Sequence, residues 1–377
     1  KQSGLILLLI VLVTVGCKSE TVNPLYNPNE FTLLVAASND GEVGPCGWKS
    51  NPLGGLARKH TILKGLVETQ ATYFVDAGDA LFKYPYIAEN QRDQLKDVAR
   101  AIIASYNMME CKVMNVGTND LAGDLDFIME LQKNADFPFI SANTKDVVTD
   151  KFLFNPYAIV ETPDQTLGFV GVTIGDGRLK SFAFSDPVEA AQKAIDEIKD
   201  KVDLVFLMAN VDEKMERALT AEVKGIDFLL RSKTGSLQRV PRQQDGTTVI
   251  RIGKQGKYAG VLKIRNVDNV SQMKNVSSQY TRIKFADNRL NAMSKDLEQG
   301  KTLEEHYAND ESRLKLIARL RTERKTNVDL IRSLKNSYYL EPIPLNEKIV
   351  DTPEVAAIVE AYMPEDKSKA KKDKKSK

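Results

Sequence analysis

The chain repeats one local pattern, an apolar run of five to seven residues broken by a short loop rich in Asp, Asn and Gly. Phe31–Ala37 runs into Ser38-Asn39-Asp40-Gly41-Glu42, Thr72–Asp76 into Ala77-Gly78-Asp79, and Cys111–Val116 into Gly117-Thr118-Asn119-Asp120. Further on, Asp203–Met208 leads to Ala209-Asn210-Val211-Asp212, and Ile226–Leu230 leads to Arg231–Ser236. Short continuous apolar runs bounded by such loops read as strands buried on both faces. The segments between them have helical spacing, as in Leu56, His60, Leu63 and Val67, or in Pro187–Lys199 behind the capping Asp186. Added strands at Tyr157–Glu161, Thr166–Thr173, Thr247–Ile252, Tyr258–Val267 and Gln279–Phe285 complete the prediction of an α/β sandwich with mixed sheets. Open α/β sheets carry their sites beyond the carboxyl ends of strands, which is where these loops lie.

From residue 287 the apolar spacing becomes helical throughout. Leu290, Met293 and Leu297 are followed by Leu314, Ile317 and Leu320, then by Val328, Ile331 and Leu334, amid dense charge. Residues 287–363 are therefore expected to form a helical arm, a hairpin or coiled coil broken near Gly300, whose stretch 287–337 either packs on the domain's own surface or serves self-association or an envelope protein partner. Residues 364–377 are expected to be a disordered lysine-rich tail. Seven Lys and one Asp lie between Lys367 and Lys377, so the net charge of +2 divides into +6 there and −4 in the other 366 residues. A mildly acidic body argues against a nucleic-acid partner, which needs a basic face on the folded domain.

At the other end, Lys1 precedes the apolar run Leu5–Val15. As a helix that run spans about 16 Å, too short for a hydrocarbon core of about 30 Å. Residues 1–16 read as a signal peptide. Val13-Thr14-Val15-Gly16-Cys17 resembles a bacterial lipobox, which implies lipidation of Cys17, with residues 17–30 as the tether and the cell envelope as the location, facing periplasm or exterior. Cys46 and Cys111 are then expected as free thiols.

Within 31–286, the segments FVDAGDALF, VGTNDLAGDLDFIMEL, FPFISANT, LGFVGVT, DPVEAAQKAIDEI, VKGIDFLL and GKYAGVLKI resemble, in order, the N-terminal domain of the 5′-nucleotidase family among the calcineurin-like metallophosphoesterases. The resemblance implies a metallophosphoesterase-like αββα sandwich and two divalent metals, Mn, Zn or Mg, that generate the attacking hydroxide and clamp a phosphate. Carried over, the first metal Asp matches Asp40 and the bridging Asp matches Asp79. Glu42 stands at the first His. The Gly-Asn-His-Glu motif reads Gly117-Thr118-Asn119-Asp120, so the metal-binding Asn falls on Thr118 and the leaving-group His on Asn119. Asn210 replaces the next His, and the final His-x-His is Lys233-Thr234-Gly235.

Three readings follow. The first is a degenerate, non-catalytic envelope lipoprotein that binds or assembles and needs no cofactor. Here either Lys233, with Arg231, neutralises Asp40, Glu42 and Asp79 where metals once did, or the loop has moved and Lys233 points to water. The second is a metal-dependent phosphoesterase using Asp40, Glu42, Asp79, Asn119 and Asn210. The third is a thiol-dependent redox partner acting through Cys46. Pro45-Cys46-Gly47-Trp48 before Gly54-Gly55-Leu56-Ala57-Arg58 resembles a nucleotidase-related envelope branch with Cys-Gly-Cys at that place, and Trp48 removes its second thiol. The helix start at Arg58 is an expected anion contact, as is Arg231.

Overall fold

A computed structural model describes residues 30–47, 52–268, 271–295, 297 and 300–362. Cys17, Trp48, the signal and tether segments and the lysine-rich tail lie outside them.

Two mixed sheets stack face to face. The first has seven strands in the order Lys274–Asn275, Ser337–Pro344, Tyr258–Arg265, Glu30–Ala36, Thr72–Asp76, Cys111–Asn115 and Phe139–Ile140. The last four are mutually parallel, while Tyr258–Arg265 runs antiparallel to both its neighbours. The second has six, in the order Arg242–Gln244, Thr247–Arg251, Phe228–Ser232, Leu204–Asn210, Thr166–Thr173 and Tyr157–Glu161, with the middle four parallel. Between the sheets, Phe169, Phe206 and Phe228 stack at centroid spacings of 5.0 and 5.1 Å, and Tyr338 of the first sheet meets Phe228 edge-on. Each such ring withdraws from water an area worth about 2–3 kcal/mol, so this aromatic column sets how the sheets face one another.

Helices cover both outer faces. Leu56–Val67, Arg92–Met108, Leu125–Asn134 and Pro353–Tyr362 pack over the first sheet, and Pro187–Ile198 and Glu213–Glu222 over the second. The two helices over the second sheet start at side-chain caps. Asp186 accepts from the N–H groups of Val188 and Glu189 ahead of Pro187, and Asp212 accepts from Met215.

Two expectations change. Gln279–Phe285 is not a strand but part of the helix Ser277–Met293, because Tyr280, Ile283 and Ala286 are buried at helical spacing whereas Phe285 is 59% exposed. The segment 287–363 is not wholly helical. The helices Ser277–Met293 and Glu311–Ser333 do pair with each other, but Ser337–Pro344 returns as a strand hydrogen-bonded along Tyr258–Arg265. The hairpin is thus stitched into the first sheet and packs through Val276, Tyr280, Ile283, Val328 and Ile331 onto Tyr339.

Candidate functional site

The carboxyl ends of the two parallel sets converge. Ser232 Oγ donates to the carbonyl of Ala77, and Thr173 Oγ1 donates to that of Val116, so strand ends of the second sheet grip loops of the first. The loops themselves are tightly wound. Ser38, Asp40, Asp79 and Lys233 all take left-handed φ values of 48–57°, a conformation costly for residues with a Cβ. Gly117 is required by proximity, since a Cβ there would lie 2.4 Å from the Asp79 nitrogen.

Asp40 and Asp79, the two retained carboxylates, are brought together as expected. The Asp40 N–H donates to the Asp79 carbonyl at 2.9 Å. Burial, then the nearby Asp79, push the Asp40 carboxyl up to about 7. Asp79 is 1% exposed and accepts from the Asn119 N–H at 2.8 Å; burial raises its pKa, and the Lys233 ammonium is the largest influence opposing that rise. Lys233 therefore acts on Asp79, and its backbone N–H donates to Ser38 Oγ at 2.8 Å, which ties its loop to the first one. Glu42 stays in the same loop, closing onto Asn39 through its N–H, and Lys254 lies within electrostatic reach of Asp40. A Cβ at Gly235 would touch the Lys254 chain, so lysines surround the place of the former His-x-His.

Thr118 and Asn210, at two ligand positions, are consumed by each other. Asn210 Oδ1 accepts from the N–H of Thr118 at 2.9 Å and lies 2.8 Å from its hydroxyl, whose single proton also has the Ile174 carbonyl at 2.9 Å as an acceptor, while Asn210 Nδ2 donates to Ser232 Oγ at 2.7 Å. Asn119, expected at the leaving-group position, turns its amide to the Lys83 carbonyl at 3.0 Å.

Two divalent ions do not fit this donor set. The Asn210 oxygen is turned onto Thr118, imidazole is absent from the loops, and the Lys233 ammonium acts on Asp79 while that of Lys254 acts on Asp40. Among the described residues no group of three His, Cys, Asp or Glu side chains is placed to hold a metal ion. A cation about 4 Å from an incoming ion opposes it by about 4 kcal/mol per unit charge at an effective dielectric of about 20.

Three expected roles are not supported by the geometry. Arg231 is 6% exposed and binds Glu216 at 2.8 Å, while Arg251 reaches the same carboxylate; the guanidinium is spent inside a buried triad and does not face the site. Arg58 gives its Nη1 to the carbonyls of Pro52 and Leu345 and lies 3.6 Å from Asp351, so it is a structural clasp rather than an anion contact. The Cys46 thiol is pushed up, by burial and then by Glu42, which is the opposite of activation. Both Cys46 and Cys111 are free thiols. His60 bonds Thr352 through Nδ1 at 2.9 Å under the last helix and is remote in role from any ligand set.

Two groups escaped the sequence reading. Asp120, fully buried, accepts from the N–H groups of Asp79, Gly117 and Leu81 at 2.8–2.9 Å and so locks two site loops together. Lys59, 1% exposed, lies 5.6 Å from the Tyr106 ring and 5.9 Å from that of Phe74, and donates to Asn39 Oδ1 at 3.3 Å. Burial lowers its pKa, with Asp76 opposing. Asp76 in turn accepts from the Tyr106 hydroxyl at 2.7 Å and the Gly78 N–H at 2.8 Å, completing a polar layer beneath the site.

No family model matches the chain. A 5′-nucleotidase of Vibrio vulnificus is 23% identical over 293 residues, 67% of this chain and 52% of that protein. The 5′-nucleotidase precursor of Thermus thermophilus superposes with a TM-score of 0.59 at 18% identity, covering 88% of this chain and 58% of the other. The calcineurin-like phosphoesterase YfkN of Bacillus subtilis gives 0.52 at 21% identity, covering 64% and 86%. The chain carries the N-terminal domain of the 5′-nucleotidase family. It spans about half the length of the curated relatives it matches. This 5′-nucleotidase-type domain has the αββα layering. Its own side chains at those positions are the ones described above.

Proposed function

We propose that this chain is a non-catalytic member of the 5′-nucleotidase family, a lipid-anchored protein of the bacterial envelope that binds or assembles rather than hydrolyses. The observation that carries the reading is the engagement of Asn210 by Thr118 and Ser232, beside a lysine that acts on Asp79. Charge compensation of Asp40 and Asp79 is supplied by Lys233 and Lys254, so the loops hold their shape without a metal. Anchoring rests on the sequence Val13–Cys17 and its apolar leader, and it places the domain at the end of a tether facing periplasm or exterior. The hairpin around 287–337 is the proposed surface for contact with an envelope partner or a second copy.

The second reading, a metal-dependent phosphoesterase, draws on the retained Asp40 and Asp79. Hydrolysis of bis-p-nitrophenyl phosphate with added manganese separates the two. The non-catalytic reading expects turnover equal to that of Asp79→Ala. Manganese-dependent turnover abolished by Asp79→Ala would establish the phosphoesterase instead.

A further inference from the structure

Three features meet on the outer helical face of the first sheet. The tether joins the domain at Glu30, whose strand partner Arg265 donates to the carbonyls of Ile331 and Arg332 at the end of the second hairpin helix. Glu30 also lies within electrostatic reach of Tyr280 in the first hairpin helix. The described chain ends at Tyr362 on the helix Pro353–Tyr362, which packs on Leu56–Val67 and Arg92–Met108 in the same layer. In the sequence the lysine-rich residues 367–377 begin five residues after Tyr362.

The hairpin presents a matching surface. Helix Ser277–Met293 turns Tyr280, Ile283 and Ala286 inward, and Tyr339 and Glu341 of the sheet receive it, through stacking on Tyr280 and an ion pair with Lys284. On the opposite stripe stand Arg282, Phe285 and Arg289, all exposed, at the i, i+3, i+7 spacing of one helix face. Neither arginine makes an ion pair among the described residues, although most charges on the neighbouring helix do. Residues 277–335 hold thirteen Lys and Arg against nine Asp and Glu, net +4, within a chain whose first 366 residues sum to −4.

We infer that this stripe docks on an anionic bilayer surface, with Phe285 entering the headgroup boundary between Arg282 and Arg289. An aromatic ring flanked by basic side chains suits the interface between headgroups and acyl chains, and each basic residue gains from anionic headgroups within a Debye length. The reach is sufficient. Glu30 is thirteen residue steps from Cys17, at most about 45 Å when extended, while Phe285 is five residues, about 7.5 Å of helix, beyond Tyr280. The stripe thus lies on the face of the domain from which the described chain starts at Glu30 and on whose helical layer it ends at Tyr362. The proposed envelope anchoring would bring the stripe to the bilayer, but the docking itself depends neither on it nor on the proposed loss of catalysis.

The test is hydroxyl-radical footprinting of the full chain on vesicles of phosphatidylcholine, with and without phosphatidylglycerol. Phe152, 54% exposed beside the helices of the other sheet, is the internal control. Oxidation of Phe285 is expected to fall by about threefold or more only on the anionic vesicles. It should recover at about 1 M salt, where the Debye length is about 3 Å. Arg282→Glu with Arg289→Glu, both at exposed positions, should abolish the protection. A chain that floats with neutral vesicles yet shows equal Phe285 oxidation on both is anchored but not docked, which overturns the inference and leaves the anchoring. Protection on anionic vesicles without flotation on neutral ones supports docking and removes the lipid anchor. Protection that appears without lipid as protein concentration rises assigns the stripe to a second copy, and overturns it.

Discussion

Asn210 aims its side-chain oxygen at Thr118, accepting from its backbone N–H at 2.9 Å and lying 2.8 Å from its hydroxyl, which the Ile174 carbonyl shares at 2.9 Å. The pair joins the second sheet to the first across the centre of the site, at two positions where the family holds metal. Asn210→Ala would orphan the buried Thr118 N–H and remove the Ser232 partner. The expected cost is about 2–4 kcal/mol in urea unfolding. A loss below about 0.5 kcal/mol would mean the bonds are not part of the fold's support.

The buried triad of Glu216, Arg231 and Arg251 gives a second test. Glu216 is 1% exposed and meets both guanidinium groups. Removing one member of such a cluster leaves uncompensated charge in the interior. Glu216→Gln is expected to destabilise the domain by about 3–5 kcal/mol. Calorimetry showing an unchanged Tm would contradict the assignment of Arg231 to structure.

Glu30 sets a pH dependence whose sign follows from its burial. Its carboxyl is raised from 4.5 to about 7 by burial, with Lys263 and Arg265 opposing. The protonated carboxyl is the form the fold prefers. Its contribution is fully present below about pH 4.5 and is lost as pH rises through about 7. Glu30→Gln should match the wild type in acid and exceed it by up to about 3 kcal/mol at pH 8. A difference that grows toward low pH would reverse the account.

Much of this was legible in the sequence because it depends on spacing along one chain. Strand-end loops carrying Asp40 and Asp79 can be read directly, and the resemblance implies that Glu42, Asn210 and Lys233 stand where imidazoles would be. The pairing of Asn210 with Thr118 cannot, since 92 residues and two sheets separate them. Lys59 reads as an ordinary charge at a helix start, and only the cage of Phe74 and Tyr106 explains its burial. Gln279–Phe285 alternates well enough to pass for a strand, a known ambiguity of short runs, until Phe285 is seen facing outward. Ser337–Pro344 was hidden by its own prolines, which argue against a central strand. They are tolerated because the strand's outer neighbour, Lys274–Asn275, pairs only with Ser337 and Tyr338, leaving Pro342 and Pro344 on an open edge.

The central claim is that lysine and amide groups have replaced the metals. Its most direct test is the divalent-metal content of the purified full chain, equilibrated with manganese and zinc and then desalted, by inductively coupled plasma mass spectrometry. The prediction is well below one ion per chain, unchanged in Asp79→Ala. Two stoichiometric ions per chain, lost in Asp79→Ala, would contradict it.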